Sequence, residues 1–250
     1  MKLAVVGKGG AGKSVVAGTL ARVFARRGDR VLALDSDTMP GLTYSLGVEP
    51  AGEPLLQAAA EKNEAGRWRT RKGIGPVRAV QRYAQPAPDG VLLLQSGKTT
   101  PEGMAPVMGS VNVFYDVVQR LRRAPYFRDW TIVGDLSAGP RQSAYRWADY
   151  ADTFLLLAEP TWKSALTARR IARIVRSRGG VTVLLVANKT RNDADAATVG
   201  EMVGEPVFGW IPSDPAVVQA ERKGVPLLDH APHSPAARAV EQLAERLSSH

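Results

Sequence analysis

Apolar residues fall along this chain in short continuous runs separated by longer stretches at helical spacing. Leu3-Ala4-Val5-Val6 is the first run and reads as a buried strand. From Ser14 to Arg27, residues Val15, Val16, Leu20, Val23 and Phe24 recur at helix spacing, and Gly28-Asp29 close the stretch as a C-terminal glycine does. Val31 to Asp35 is a second strand that ends on an acid. Val91 to Leu94 is a third, followed by a loop from Gln95 to about Pro106 and a helix from Ser110 to Arg123. Thr131 to Asp135 is a fourth strand, again ending on an acid. Thr153 to Ala158 is a fifth, with a helix from about Lys163 to Arg178. Val181 to Ala187 is a sixth strand and Val207-Phe208-Gly209 a weak seventh. Short helices near Pro215 to Arg222 and Pro235 to Leu247 complete the pattern.

Continuous rather than alternating apolar strands are buried on both faces, and strands separated by helices pair in parallel through right-handed crossovers. The pattern predicts a single α/β domain over residues 1–250, with a central, mostly parallel sheet flanked by helices. The stretch from about Glu61 to Asp89 shows neither period and reads as an irregular basic insertion or mobile surface element.

Composition narrows the function classes. The 250 residues are 44% hydrophobic and 23% charged, which excludes wholesale disorder. There is no cysteine, hence no disulfide, thiol nucleophile or thiolate metal site. No run reaches the ~18 apolar residues that a membrane helix requires. The N-terminus breaks early into glycine and lysine without a signal-peptide cleavage pattern, so a cytoplasmic location is expected. The formal charge of +9 is compatible with an acidic partner or with an arginine-rich solvated surface. It is clustered: seven basic residues (Lys62, Arg67, Arg69, Arg71, Lys72, Arg78, Arg82) stand against Glu61 and Glu64, with Trp68 and Tyr83 interleaved. Arg120, Arg122, Arg123 and Arg128 form a second group, and Lys163, Arg169, Arg170, Arg173, Arg176 and Arg178 a third.

The candidate chemistry begins at Gly7-Lys8-Gly9-Gly10-Ala11-Gly12-Lys13-Ser14, a match to G-x-x-x-x-G-K-[ST] between a predicted strand and a predicted helix. Glycines let backbone N–H groups turn toward phosphate oxygens, and the helix N-terminus adds its positive dipole end. The expected nucleotide-binding run is Gly9, Gly10, Ala11, Gly12, Lys13, Ser14 and Val15. Lys13 is expected to bridge the β- and γ-phosphates, and the Ser14 hydroxyl to ligate Mg²⁺.

A second lysine, Lys8, lies inside the loop. The run Lys-Gly-Gly-x-Gly-Lys-Ser resembles the deviant phosphate loop of the MinD/ParA class of P-loop ATPases. The resemblance implies ATP and Mg²⁺ as cofactors and a homodimer sandwiched around nucleotide, in which Lys8 reaches the partner's phosphates. Asp35-Ser36-Asp37 resembles that class's first switch; Asp37 would orient the attacking water and Asp35 would lie near the Mg²⁺ hydration shell. Asp135-Leu136-Ser137-Ala138-Gly139 resembles its D-x-x-x-G element, with Asp135 on the metal and the Gly139 N–H sensing the γ-phosphate. Asn188 resembles the base-reading asparagine of the class. Arg191 stands where a guanine-specific site would need an acid. Ile211-Pro212-Ser213-Asp214 resembles the segment covering the base, which adds Pro212 and Asp214. Lys8, Lys13 and Asp37 are thus the catalytic set; Ser14, Asp35 and Asp135 are the metal set.

Within the class the chain is most similar to the CooC-like and nitrogenase iron protein-like branch, through Ala158-Glu159-Pro160, Gly209 to Pro215 and Pro226 to Pro232. That branch carries metal-binding cysteines in the loop after the third strand. Here the loop is Gly103-Met104-Ala105-Pro106, without cysteine. Met104 and Met108 are weak soft ligands, and His230 and His233 sit in a proline-rich loop. The expected role is an ATP-driven dimeric switch on a protein client, that of a CooC-like metalloenzyme maturation or accessory factor without a metal site of its own. A DNA-associated positioning ATPase using the basic clusters, and a nucleotide-binding regulator that does not hydrolyse, are the alternatives. The C-terminal helix lacks the basic, bulky-aromatic face of a membrane anchor, so no membrane partner is expected.

Overall fold

The computed structural model describes residues 1–39, 41–100, 103–144 and 147–250; of the expected loop over 95–106, residues 101 and 102 lie outside the described residues. Its strands are β1 (Lys2–Gly7), β2 (Val31–Asp35), β3 (Ala60–Lys62), β4 (Trp68–Thr70), β5 (Gln85–Pro86), β6 (Leu92–Gln95), β7 (Thr131–Asp135), β8 (Thr153–Ala158), β9 (Thr182–Thr190) and β10 (Val207–Pro212). Its α-helices are α1 (Lys13–Arg26), α2 (Gly41–Leu46), α3 (Pro76–Tyr83), α4 (Met108–Leu121), α5 (Arg141–Ala144), α6 (Trp162–Arg176), α7 (Asp193–Val203), α8 (Pro215–Lys223), α9 (Leu227–His230) and α10 (Pro235–Ser248).

Eight strands form one sheet in the order β10-β9-β8-β1-β7-β2-β6-β5, parallel except for the antiparallel edge strand β5. The expected α/β architecture is therefore present. β1 lies between β7 and β8, so its C-terminal end opens where the connections diverge to either side. In open α/β sheets that is where ligands bind.

The strands are buried on both faces because alternate side chains feed two cores. Ala4, Val6, Leu32 and Leu34 pack with helices α4, α6 and α7. Leu3, Val5, Val31 and Ala33 pack with α1 and α10. Two helices beside the site, α8 and α10, begin on side-chain caps, whereas α1 follows Gly12 without one. Asp214 caps α8 ahead of Pro215, and Ser234 caps α10 ahead of Pro235.

Two expectations are corrected. The stretch 61–89 is not irregular. It carries the β3–β4 hairpin, closed by Asn63 and Gly66 (φ 72°), then α3 and β5, all packed along α4 and β6. Three-residue strands are too short to show a period, although Gly75-Pro76 is a legible helix start. A helix between the sixth and seventh predicted strands was not expected, yet α7 fills it. Its signals are local: Asn192 caps the Asp195 N–H at 2.9 Å, and Gly204 (φ 78°) ends it.

Candidate nucleotide site at the carboxyl end of the sheet

The phosphate loop leaves β1 at Gly7, where only glycine fits. A Cβ there would stand 2.6 Å from the Leu157 carbonyl oxygen. The loop turns through left-handed backbone at Gly10 (φ 80°) and Gly12 (φ 85°) before α1 starts at Lys13. Its carbonyls are turned away and held. The Lys8 carbonyl accepts from the Ala11 N–H at 3.2 Å, the Gly10 carbonyl from Lys189 Nζ at 2.6 Å, and the Ala11 carbonyl from Asn188 Nδ2 at 2.7 Å. No acceptor among the described residues takes the N–H groups of Gly10, Gly12, Lys13 and Ser14. Unpaired N–H groups at a helix N-terminus form an anion-binding concavity.

Lys13 is 8% exposed, and its ammonium makes one long contact, 3.4 Å to the Lys8 carbonyl. It faces the loop with no close ion pair among the described residues, while its charge acts on the buried Asp135. The Lys8 side chain is half-buried. Loop and α1 form one wall of a cavity of about 960 Å³, whose other wall includes Asn188, Pro212 and Asp214. Gly10, Gly12, Lys13, Ser14 and Val15 all line it. Lys8, Gly9, Asp37 and Gly139 do not.

The acids meet beside Ser14. Asp35 and Asp135 are register partners across β2 and β7. Ser14 Oγ donates to Asp135 Oδ2 at 2.6 Å, while Asp135 Oδ1 is buried without a hydrogen-bond partner. Burial, with the nearby Asp35 charge, pushes the Asp135 carboxyl up to about 7. Burial likewise raises Asp35 to about 6, against the pull of the Lys98 ammonium. Two adjacent buried carboxyls with an orphaned oxygen and a serine hydroxyl form an all-oxygen donor set, which suits Mg²⁺. Among the described residues no group of three or more His, Cys, Asp or Glu forms a metal cage.

Four expected contacts are placed differently in this structure. Asp37 turns its Oδ1 back to the Met39 N–H at 3.2 Å. The Gly139 N–H donates to the Gly7 carbonyl at 3.0 Å. Asn188 braces the loop with Nδ2, and its Oδ1 accepts from the Lys189 N–H at 2.9 Å, leaving one N–H and one lone pair for a ligand. Asp214 spends both carboxylate oxygens on the Ala216 and Ala236 N–H groups, 2.9 Å each. Burial alone would raise its carboxyl, but those N–H donors outweigh burial and hold it below the usual range. It fixes the starts of α8 and α10.

Three residues of the site carry no motif. Lys189 pins the phosphate loop and pairs with Glu159 at 2.8 Å. Gln142 joins the segments after β2 and β7: its Oε1 accepts from Ser36 Oγ at 2.7 Å and the Ser137 N–H at 2.9 Å, and its Nε2 donates to the Ser36 carbonyl and Tyr115. Lys98 contacts Asp35. Lys189 was legible only as the neighbour of Asn188; Lys98 and Gln142 gave no sequence signal, because their partners come from other strands.

Fold and loop together define the phosphate-loop class of nucleotide-binding proteins. Within it, residues 3–227 match the family model of the CobQ/CobB/MinD/ParA nucleotide binding domain, and the chain belongs to that family of MinD/ParA-type P-loop ATPases. It is 29% identical to an uncharacterized ATP-binding protein of Methanocaldococcus jannaschii, over 97% of this chain and 96% of that one. It is also 29% identical to the carbon monoxide dehydrogenase accessory protein CooC of Rhodospirillum rubrum, over 93% and 91%. Among solved structures it is similar to the cell division ATPase MinD of Pyrococcus furiosus, with TM-score 0.73 and 24% identity over 99% of this chain and 98% of that one. The Pyrococcus horikoshii MinD, solved with Mg-ADP, has TM-score 0.72 and 20% identity over 98% and 94%. No described helix is long and apolar enough to cross a membrane.

Proposed function

We infer that the protein is an Mg²⁺-dependent ATPase that dimerises around ATP and acts as a switch on a protein client, a CooC-like accessory factor without a metal site of its own. The observation that carries the nucleotide reading is the junction of the free N–H groups at the start of α1 with the Ser14–Asp135 pair and its orphaned oxygen. The absence of cysteine separates the chain from thiolate metal carriers. The 29% identity to CooC over most of both chains supports the accessory role.

Ser14 and Asp135 would hold Mg²⁺, with Asp35 beside them. The bound ion supplies charge neutralisation on the phosphate oxygens. The chain's own residues do the rest. Backbone N–H groups from Gly10 to Ser14 and the Lys13 ammonium bind and orient the phosphates. Asp37 must swing off its Met39 contact to orient water, and Gly139 must release the Gly7 carbonyl to reach a γ-phosphate. Both moves fit an enzyme that completes its site only on closure. Lys8, clear of the cavity, serves the partner protomer's phosphates. Lys8→Ala is therefore expected to leave ADP affinity within about twofold, well under 1 kcal/mol, and to abolish the ATP-induced dimer. Light scattering that finds a normal ATP dimer in this variant rejects the arrangement.

One observation favours a second reading, a DNA-associated ATPase. The β3–β4 hairpin and α4 border a groove of about 450 Å³ edged by Arg69, Arg71, Lys72 and Arg120. Part of this charge is paired, Arg69 with Glu61 and Arg120 with Asp116. That reading predicts ATP-dependent duplex binding that falls steeply with salt. A flat gel-shift titration at low salt with ATP eliminates it.

A further inference from the structure

Lys98 follows β6, outside every segment the motifs mark. Its ammonium has three donors, and all three go to one short stretch of chain: the Asp35 carboxylate, the Asp37 carbonyl at 3.0 Å and the Met39 carbonyl at 2.9 Å. Two backbone bonds run alongside. The Ser96 N–H donates to the Asp35 carbonyl at 2.9 Å, and the Thr99 N–H to the Thr38 carbonyl at 3.2 Å. Segments 35–39 and 96–99 are thus zipped together beyond the carboxyl ends of the neighbouring strands β2 and β6. The pairing continues outward, since Thr99 Oγ1 donates to the Met104 sulfur at 3.3 Å and the Gly103 N–H to the Thr100 carbonyl at 2.8 Å.

The two ends of this chain of contacts face different surroundings. The inner end is Asp35, fully buried beside Asp135. The outer end is apolar and open: Met39 is 67% exposed, Met104 37% and Met108 38%. The Lys98 side chain is only 16% exposed. Its loss would leave a buried carboxylate without its countercharge, unlike the loss of a solvated surface pair. The Asp37 carboxylate reaches the Met39 N–H directly at 3.2 Å; Lys98 adds the link from the Asp35 carboxylate to the segment whose Thr99 holds Met104. The lysine also grips the carbonyl of Asp37, the residue expected to orient water, so it sets the pose of that backbone.

We propose that Lys98 is a positioning residue that ties the Asp35–Met39 segment to Thr99 and Met104, so that binding of Mg²⁺ and nucleotide beside Asp35 displaces the exposed methionines. The proposal rests on the nucleotide-switch reading above. It explains how a chain without a cysteine metal site shows its nucleotide state at the surface: the acid and the thioether face move as one piece, with Lys98 as the joint.

The test uses the full chain labelled with ¹³C in its methionine methyl groups, in wild type, Lys98→Leu and Lys98→Arg. Without nucleotide, Lys98→Leu is expected to shift the Met39 and Met104 resonances together and to leave Met202, remote on α7, in place. Lys98→Arg, which keeps a multidonor cation, is expected to restore both. With Mg²⁺ and ADP, Met39 and Met104 move in wild type, but Met39 alone moves in Lys98→Leu. A Met104 resonance unchanged by Lys98→Leu without nucleotide overturns the proposal. So does a Met104 response to Mg²⁺-ADP that is the same with and without Lys98. A merely structural lysine would move Met202 as well. If Lys98→Leu does not fold, Lys98→Gln, with its neutral donor, is expected to give the same pattern at reduced amplitude. Calorimetry on wild type separates the two readings: no heat with Mg²⁺-ADP removes the nucleotide switch, and the nucleotide-free spectra still decide the tie.

Discussion

Lys13→Ala is expected to weaken Mg²⁺-ATP binding by about 10²- to 10³-fold, roughly 3–4 kcal/mol, while the protein stays folded. The magnitude follows from what the ammonium lacks. It is buried at the start of α1, and its one contact is a long bond to a neutral carbonyl. A phosphate would give it charge-assisted hydrogen bonds worth about 1.5–3 kcal/mol each, and two phosphates lie within the expected reach. Removing the side chain forfeits those bonds; it also takes a nearby cation from the buried Asp135, whose carboxyl Lys13 pulls down, but that acid keeps its hydrogen bond from Ser14, so the loss falls mainly on binding. Gly12→Ala is expected to match that loss by another route. A side chain there is strained at φ 85°, and its Cβ would stand 2.5 Å from Asn188 Nδ2, displacing the brace on the Ala11 carbonyl. Calorimetry with Mg²⁺-ATP, with circular dichroism to establish folding, measures both. A Lys13→Ala protein that binds within tenfold of wild type would mean that the α1 N-terminus is not the phosphate site. The contrast with Lys8→Ala is the sharper check: one lysine carries affinity and the other carries association.

The parts of this site that lie along one stretch of chain were legible before the fold. The phosphate loop declares itself through glycines that the backbone requires at positive φ, followed by the lysine and serine of the helix start. The acids at the ends of β2 and β7 were visible as strand-terminal residues. Their adjacency was implied only by the family resemblance that put both at the metal, because β7 inserts between β1 and β2 and no local signal records strand order. The same reason hid Lys98 and Gln142. Each acts across strands, and neither sits in a pattern that a single segment could show. Asn188, Asp214 and Gly139 illustrate the converse. Sequence assigned them to nucleotide, and the fold gives each a backbone partner first. The basic stretch after Glu61 failed as a reading of structure because three-residue strands carry no period, although its charge was read correctly. α7 was missed because an alanine-rich helix with a weak apolar face offers only its caps.

Arg22→Met is expected to cost about 3 kcal/mol, or ~6–12 °C in the thermal midpoint of a chain this size, and to change the acid limb of stability. Arg22 lies on α1, and its side chain is 3% exposed. Its Nε donates to Asp89 Oδ2 at 2.6 Å, and its two terminal nitrogens hold Asp229 at 2.7 and 2.8 Å in a fork. One guanidinium thus fastens the phosphate-loop helix to the turn before β6 and to α9, whose Leu227 lines the same cavity as the phosphate loop. Removing one partner of a buried pair costs about 3–5 kcal/mol; the lower end applies because Asp229 keeps substantial access to water. Burial alone would raise the Asp89 carboxyl, but the hydrogen bonds and charges of Arg22 and Arg26 outweigh it and hold the group below its unfolded value of 3.8. A depressed carboxyl stabilises the fold above the unfolded pKa, and that contribution disappears as pH falls through the lower folded value. Wild type should therefore lose stability on acidification below about pH 4. Arg22→Met, with only Arg26 left beside Asp89 at 3.1 Å, should lose less over the same interval. Urea titrations of both proteins between pH 6 and pH 3, without nucleotide, measure the two slopes. Parallel acid limbs would show that Arg22 does not hold the Asp89 charge. A variant as stable as wild type at pH 6 would show that this fork does not fasten α1 to α9.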